Sequence, residues 1–494
     1  MRMPHWLEKR ASLTPERIAI ISSGEQLTFL ELRNRARSLA YKLATLGVNK
    51  GMTVALLCKN GLHVPELIHA IHYLGAVLMP LNTRLAAREL VFQLRDARSA
   101  LLLYDDSHSA LAIEVQAQLQ NIQYVSVASV ESTVPAHESA FDWPLQTVIN
   151  MDAVHTIMYT SGTTGTPKGV MLTYNNHWAS AVGSVLNLGL SENDRWLACV
   201  PLFHISGLSI LMRSVVYGMP IIIHEKFDPD AVNAAIIEDG VTVVSVVSNM
   251  LSRMMEALGD RIYPPTFRCM LLGGGPAPLP LLTTCVEKGV PVFQTYGMTE
   301  TASQIVTLQP EYMLSKLGSA GKPLFQAELR IMLDGKEALP LEAGEIVVRG
   351  PNVTAGYLNR PEATIEAIHD GWLSTGDVGY VDEEGFLYVL DRRKDMFVSG
   401  GENVYPAEIE AVLAGHPAVL EAGVAGIEDE KWGQTPAAFI CLREHASLTE
   451  PEVLAYCKDK LAKYKIPSRI YFVDMLPRNA SNKLLRKDLA KLIP

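Results

Sequence analysis

Apolar positions along the chain alternate between two periods. Thr28 and Glu31 form a capping box, and Leu32, Ala36, Leu39, Ala40 and Leu43 then recur at helical spacing up to Gly47. The run Val54–Cys58 predicts a short buried strand, and Leu67, Ala70, Ile71 and Leu74 predict a second helix ending before Gly75. Ala100–Tyr104 reads as another strand. Val154, Ile157, Met158 and Tyr159 lead like a buried strand into a polar, glycine-rich stretch. Further on, Val241–Val247 precedes a helical Met/Leu segment, Cys269–Leu272 stops at Gly273, and Val292–Thr295 stops at Tyr296-Gly297. Strands alternating with helices predict α/β layers around parallel sheets, with ligand-binding turns at the strand ends.

From Glu345 the texture changes to short strands and turns (EIVVRG, DGWLSTGD, GFLYVLDRR), which predicts a β-rich subdomain. After the charged run Arg392-Arg393-Lys394-Asp395 a last segment has its own pattern. Pro406 suits the first turn of a helix, Val419–Ile427 and Ala437–Leu442 read as strands, and Pro451–Leu461 reads as a helix. About a hundred residues with their own α/β core make a small domain, and the charged run is the best boundary. There is no internal repeat or low-complexity tract.

Composition narrows the function. At 494 residues, 48% apolar and 19% charged, the chain can bury about two to four core units. A net charge of −10 argues against a protein that coats nucleic acid, which needs clustered Lys and Arg. The six cysteines are scattered without a CxxC pair and read as buried free thiols, not as a metal site or disulfide framework. MRMPHWLEKR has no apolar core of a secretory signal, and the apolar window Leu197–Ile223 is broken by His204, Gly207, Arg213, Gly218 and Pro220. A cytoplasmic protein without membrane insertion is expected, and a homo-oligomer is compatible with the composition.

Candidate chemistry is densest in Thr160–Gly169, TSGTTGTPKG. Gly162 and Gly165 let backbone come close to a bulky anion, short hydroxyls and turned-in N–H groups suit phosphate oxygens, and Lys168 adds a point charge. The P-loop spacing is not met, because Lys168 lies between Pro167 and Gly169. In Tyr296-Gly297-Met298-Thr299-Glu300 the ring can stack on a base, Thr299 can bond a phosphate and Glu300 can hold Mg²⁺. Asp377 of STGD can accept from ribose hydroxyls, Arg392 can contact ribose beside a hinge, and Lys483 of PRNASNK can swing into a cleft. Taken singly, each has a plainer reading: a flexible loop, a turn, a helix start or a solvated charge. His204 in PLFHISG reads more simply as a core histidine. No Ser/His/Asp arrangement is identifiable, and GxSxG is absent.

In this order, TSGTTGTPKG, YGMTE, STGD, DRRKD, SGGEN and the late Lys483 resemble the acyl-adenylate-forming superfamily of acyl-CoA synthetases, adenylation domains and luciferases. The resemblance implies an ATP- and substrate-binding domain over roughly 1–391, a hinge at 392–394 and a mobile domain over 395–494. It implies ATP, Mg²⁺ and coenzyme A as cofactors and co-substrate. Thr160, Ser161, Gly162, Thr163, Thr164, Gly165 and Lys168 would grip phosphates. Gly274, Gly275, Pro276, Tyr296 and Gly297 would frame adenine. Thr299 would meet the α-phosphate, Glu300 would hold Mg²⁺, Asp377 and Arg392 would bind ribose, and Lys483 would bridge the carboxylate and α-phosphate. Lys394 would be the pivot, with Gly400 and Gly401 lining a pantetheine tunnel. PLFHISGLS, LLGGGPAPLPLL and YGMTETASQIVTL further resemble ligases for an aryl acid bearing a second carboxylate. His204 would then wall the aromatic pocket, with Gly274, Ser303 and Gln304 lining it. Arg213 would meet the spare carboxylate, although a surface ion pair explains it equally well. The alternatives are a general aromatic or medium-chain acyl-CoA synthetase, and a stand-alone adenylation enzyme; for the latter a downstream carrier domain is expected, and none follows before Pro494.

Overall fold

Apolar runs too short for helices become inner strands of parallel sheets in the computed structural model, which describes residues 1–134, 145–160, 167–274, 277–392, 395–399, 402–429, 432–458, 460–478 and 484–493. In the first sheet Thr53–Leu57 lies between Val77–Pro80 and Leu101–Tyr104, all parallel. Gln123–Ser126 extends one side and Val154–Thr160 the other. Lys168–Thr173 folds back antiparallel on Val154–Thr160, and Gly356–Tyr357 adds the edge. In the second sheet Ile221–Ile223, Trp196–Ala198, Val243–Val247, Cys269–Gly273 and Val292–Met298 are parallel neighbours. Such strands are covered on both faces, which is why they read as continuous apolar runs.

The helices follow their patterns. Thr28 Oγ1 accepts from the Glu31 N–H at 3.2 Å and Glu31 Oε2 from the Thr28 N–H at 2.8 Å, starting the helix Phe29–Thr45. Its residues Leu32, Ala36, Leu39, Ala40 and Leu43 are buried. Helices His63–Tyr73 and Ile205–Tyr217 are buried round most of their circumference, the signature of a helix packed on both sides.

The antiparallel region begins earlier than Glu345. Ser303–Leu308 already pairs antiparallel with Val292–Met298, and Ser319–Pro323 then links the second sheet to Leu387–Arg392, Trp372–Val381, Gly344–Arg349 and Glu328–Leu333. The β-rich part therefore grows out of the parallel sheet. Its early strands carry little sequence signal because SQIVTL lacks the period-two alternation that marks a half-exposed strand. Past the charged run, Val419–Asp429 and Gly433–Leu442 form a hairpin flanked by Phe397–Ser399 and Arg469–Phe472. The helix Pro406–Ala414, with proline at its first position, buries Ile409 and Leu413 in the same core as Val424 and Ile440. All six cysteines are buried and unbridged.

One part of the core is unusual in composition. His5, His69, His72, His155 and His177 are all buried beside Trp6, Tyr73 and Tyr174. His5 stacks on Tyr73 at 4.1 Å between ring centroids, His72 lies 3.7 Å from His155, and His155 lies 4.5 Å from His177. Burial pushes the pKa of each down, to about 3 for His5 and His177 and about 4 for His69.

One cation joins the residues on either side of the charged run. Arg486 bonds Asp391 at 2.7 Å, Asp395 at 3.1 Å and Glu410 at 2.6 Å, so it ties the last strand of the large domain to the first residues of the small one. Removing one partner of a buried network leaves the others uncompensated. Arg486→Ala is expected to lower stability by about 2–3 kcal/mol, below the fully buried case because the side chain keeps some exposure. A urea midpoint equal to that of the parent protein would contradict this.

Candidate active site

The glycine-rich stretch is a hairpin connection. Thr160 and Lys168 are register partners at the ends of their strands, and Ser161, Gly162, Thr163, Thr164 and Gly165 between them lie outside the described residues. Lys168 Nζ sits 5.0 Å over the ring of Tyr357, and Tyr357 Oη donates to Glu300 Oε1 at 3.2 Å. The Glu300 carbonyl accepts from the Thr354 N–H at 2.7 Å. A cation and a buried carboxylate, 132 residues apart in sequence, thus meet one tyrosine, the cation over its ring and the carboxylate at its hydroxyl. Burial, and then the Glu300 charge, raise the Tyr357 pKa, keeping it a donor. Tyr357 was not among the sequence candidates; its turn-like TAGYLN context carries no signal beyond a Gly-Tyr pair.

The strand expected to stop at Thr295 continues through Met298, because Tyr296–Met298 pairs with Ser303–Val306. A bulge falls at Tyr296/Gly297, and a Cβ on Gly297 would lie 2.0 Å from the Ser303 carbonyl oxygen, so only glycine fits. A single 3₁₀ turn, Thr299–Thr301, follows. Ala302 and Ser303 then take φ of 50° and 102°, strain held by Thr301 Oγ1 bonding the Met298 N–H and the Ser303 carbonyl. Thr299 and Glu300 are therefore presented on a stiff turn.

Tyr296 Oη donates to Asp377 Oδ2 at 2.7 Å, which brings the YGMTE and STGD motifs together. Asp377 is directly opposite Arg392 in the strand register, so the third nucleotide-facing candidate is a backbone neighbour. Gly274 follows the neighbouring strand Cys269–Gly273 with φ +84°. Gly275, Pro276, Lys394, Gly400, Gly401 and Lys483 lie outside the described residues. Arg478 and Leu484, on either side of the Lys483 segment, pair in a β-bridge. Arg478 also bonds Glu421 at 2.6 Å, and Glu421 accepts from Asn249 of the large domain.

The acyl-side candidates divide. Arg213 is 1% exposed, which overturns the surface ion pair. Its Nη2 is 3.5 Å from Ser303 Oγ and its guanidinium lies 5.1 Å over the Trp196 ring. Ser209, one turn away on the same face, is also 3.5 Å from Ser303 Oγ. No carboxylate is within ion-pair distance of Arg213 among the described residues, and its Nε bonds no protein atom. Burial lowers its pKa, with Tyr217 opposing. Both amide atoms of the buried Gln304, next in sequence to Ser303, likewise bond no protein atom. His204 instead stands just before helix Ile205–Tyr217, nine residues or about 13 Å along the axis from Arg213. Ser209 and Trp196 belong to the Arg213 group but were not singled out, since nothing in spacing links residues 196, 209 and 303.

A model of the AMP-binding enzyme family matches residues 7–358, and a model of the AMP-binding enzyme C-terminal domain matches residues 408–483. The 2-succinylbenzoate–CoA ligase of Geobacillus kaustophilus is 58% identical, covering 100% of this chain and 98% of its own. Among solved structures, o-succinylbenzoate CoA synthetase (MenE) from Bacillus subtilis with the acyl-adenylate intermediate OSB-AMP superposes with TM-score 0.93 at 50% identity, covering 99% and 98% of the two chains. The same Bacillus subtilis enzyme in complex with ATP and magnesium ion gives TM-score 0.93 at 50% identity over 99% and 100%.

Proposed function

The chain belongs to the AMP-binding enzyme family, and from that premise we propose that it is a 2-succinylbenzoate–CoA ligase of menaquinone biosynthesis, using ATP and coenzyme A. The observation that carries the substrate is the full-length 58% identity to a ligase of that name. The convergence of Lys168 with Glu300 and of Tyr296 with Asp377 supports the chemistry.

A carboxylate is a poor acyl donor until its oxygen carries a good leaving group. An oxygen of the succinyl carboxylate attacks the α-phosphorus of ATP in line, the bond to the β-phosphate breaks, and pyrophosphate leaves. The sulfur of coenzyme A then attacks the acyl carbon, AMP leaves, and the thiol proton passes to solvent. The protein's part is to position reactants and meet charge that develops in the transition state. Thr160 and Lys168, with the connection between them, grip the phosphates, and Thr299 meets the α-phosphate. Tyr296, Gly297 and Gly274–Pro276 frame adenine, while Asp377 and Arg392 take the ribose. Tyr296 holds Asp377 in place by the 2.7 Å bond, so Tyr296→Phe is expected to raise the KM for ATP about fivefold to tenfold with little change in kcat. An unchanged KM in steady-state kinetics would remove that role. The buried carboxylate of Glu300 offers the hard oxygen donors Mg²⁺ prefers, and when bound the ion neutralises phosphate charge. Lys483 bridges the reacting carboxylate and the α-phosphate. Rotation about residues 392–394, with Lys394 as pivot, withdraws it and opens a tunnel past Gly400 and Gly401. The described residues contain no helix long and apolar enough to cross a membrane, and we place the enzyme in the cytoplasm, acting on small molecules and not on nucleic acid.

Arg213 is assigned to the ring carboxylate of the substrate, with Ser303, Ser209 and Gln304 around it and His204 walling the pocket nearer the helix start. A fully buried guanidinium without a carboxylate among the described residues is stabilised when a ligand supplies one. The same polar group disfavours an all-apolar fatty-acid tunnel. Arg213→Met is expected to raise the KM for 2-succinylbenzoate about 10- to 100-fold, from the loss of one charge-assisted pair. 4-Oxo-4-phenylbutanoate, which lacks the ring carboxylate, is expected to be insensitive to the change. Equal effects on both acids would overturn the assignment, and pyrophosphate release with octanoate or benzoate but not 2-succinylbenzoate would overturn the substrate.

A further inference from the structure

The first parallel sheet has a switch point away from the phosphate-gripping hairpin. From Thr53–Leu57 the chain crosses to Val77–Pro80 on one side, then returns to Leu101–Tyr104 on the other. The carboxyl ends of Thr53–Leu57 and Leu101–Tyr104 therefore flank a crevice of the kind in which open α/β sheets hold ligands. Cys58 is the first residue after one strand and Asp105 the first after the other, while His63 opens the helix that leaves the crevice. The Cys58 sulfur, a ring nitrogen of His63 and a carboxylate oxygen of Asp105 all lie within 4.8 Å of one another, the one such group among the described residues.

Two features point to a ligand there. His63 Nε2 is buried and bonds no protein atom. Asp105 is oriented from outside the group: Oδ2 accepts from the Lys59 N–H at 2.8 Å, and Oδ1 from Ser107 Oγ and His108 Nδ1, each at 2.6 Å. Outer hydrogen bonds of this kind fix a carboxylate as a metal ligand. We propose that Cys58, His63 and Asp105 bind one thiophilic divalent cation of the zinc class, at a site separate from Glu300 and its Mg²⁺. A tetrahedral ion with bonds of about 2.0–2.3 Å holds its ligands about 3.3–3.7 Å apart, so binding would draw the Cys58 and His63 side chains in toward the fixed Asp105 carboxylate. Thiolate with imidazole selects zinc or cobalt over magnesium, and water completes the fourth position. On binding, the Cys58 thiol gives its proton to solvent and the S–metal bond forms.

The site is mechanically linked to the acyl side. Asn60, two residues past Cys58, donates to the Val200 carbonyl at 3.0 Å and accepts from the Leu202 N–H at 2.9 Å, so it grips the segment that carries His204. An occupied site steadies that segment.

The test uses the full-length protein freed of metal by chelation and titrated with Co²⁺. One equivalent is expected to produce a thiolate-to-cobalt charge-transfer band that Zn²⁺ abolishes and excess Mg²⁺ does not. Cys58→Ser is expected to lose the band. His63→Gln, which alters a less buried side chain, is expected to weaken Co²⁺ binding by about tenfold or more, and decides the matter if Cys58→Ser does not fold. No band at one equivalent, a band that persists in folded Cys58→Ser, or unchanged affinity in His63→Gln would each overturn the site.

Discussion

Lys483→Ala is expected to slow pyrophosphate release by about 10²- to 10³-fold, the usual loss when a positioned donor facing transition-state charge is removed. Thioester formation from pre-made acyl-adenylate and coenzyme A is expected to stay within about threefold of the parent. The asymmetry follows from the chemistry. In the first half-reaction two anions, the carboxylate and the α-phosphate, must approach each other, and a lysine between them lowers that repulsion. In the second, a thiol meets an acyl carbon already joined to its leaving group, and the proposed rotation of the small domain would have carried the lysine away. Pyrophosphate exchange and single-turnover thioester assays separate the two. Equal losses in both would remove the assigned role.

Mild acid is expected to destabilise the protein sharply. An exposed histidine titrates near 6.5, whereas burial lowers His5 and His177 to about 3 and His69 to about 4, with the Arg37 charge adding at His5. Between these values the unfolded chain binds protons that the folded chain refuses, so stability is full above pH 6.5 and falls as pH drops toward 4 and 3. Each histidine costs about 2 kcal/mol at pH 5, so these three cost about 6 kcal/mol, comparable to the whole stability of many domains. His72 and His155, lowered by burial as well, act in the same direction. Few carboxylates titrate above pH 5, which makes the upper half of this window diagnostic of histidine. The urea midpoint, followed by tryptophan fluorescence because Trp6 stands 5.9 Å from His155, is expected to fall markedly from pH 7.5 to 5.5. An equal midpoint at the two values would mean that the cluster accepts protons while folded.

What the sequence disclosed divides along physical lines. Thr28 with Glu31 and Pro406 act within one helical turn, so their roles are legible from neighbours alone. Short β-branched runs ending at glycine also located strand ends, although Val292–Met298 ran three residues further because its pairing with Ser303–Leu308 outweighs the local turn signal. Residues defined by distant partners were hidden. Tyr357 gains meaning only from Lys168 and Glu300, and Arg213 only from a burial that sets it among Trp196, Ser209 and Ser303. The five core histidines share no spacing. Cys58, His63 and Asp105 match no metal-binding motif, because the sheet's crossover and not the chain's order brings them together.

In the proposed reaction this chain activates 2-succinylbenzoate as an adenylate and passes it to coenzyme A. The most direct measurement is mass spectrometry of the products formed from ATP·Mg²⁺ and 2-succinylbenzoate, with and without coenzyme A. 2-Succinylbenzoyl-adenylate and pyrophosphate are expected without coenzyme A, and 2-succinylbenzoyl-CoA with AMP when it is present. Formation of ADP and phosphate, or a thioester that appears with no adenylate preceding it, would contradict the proposed reaction.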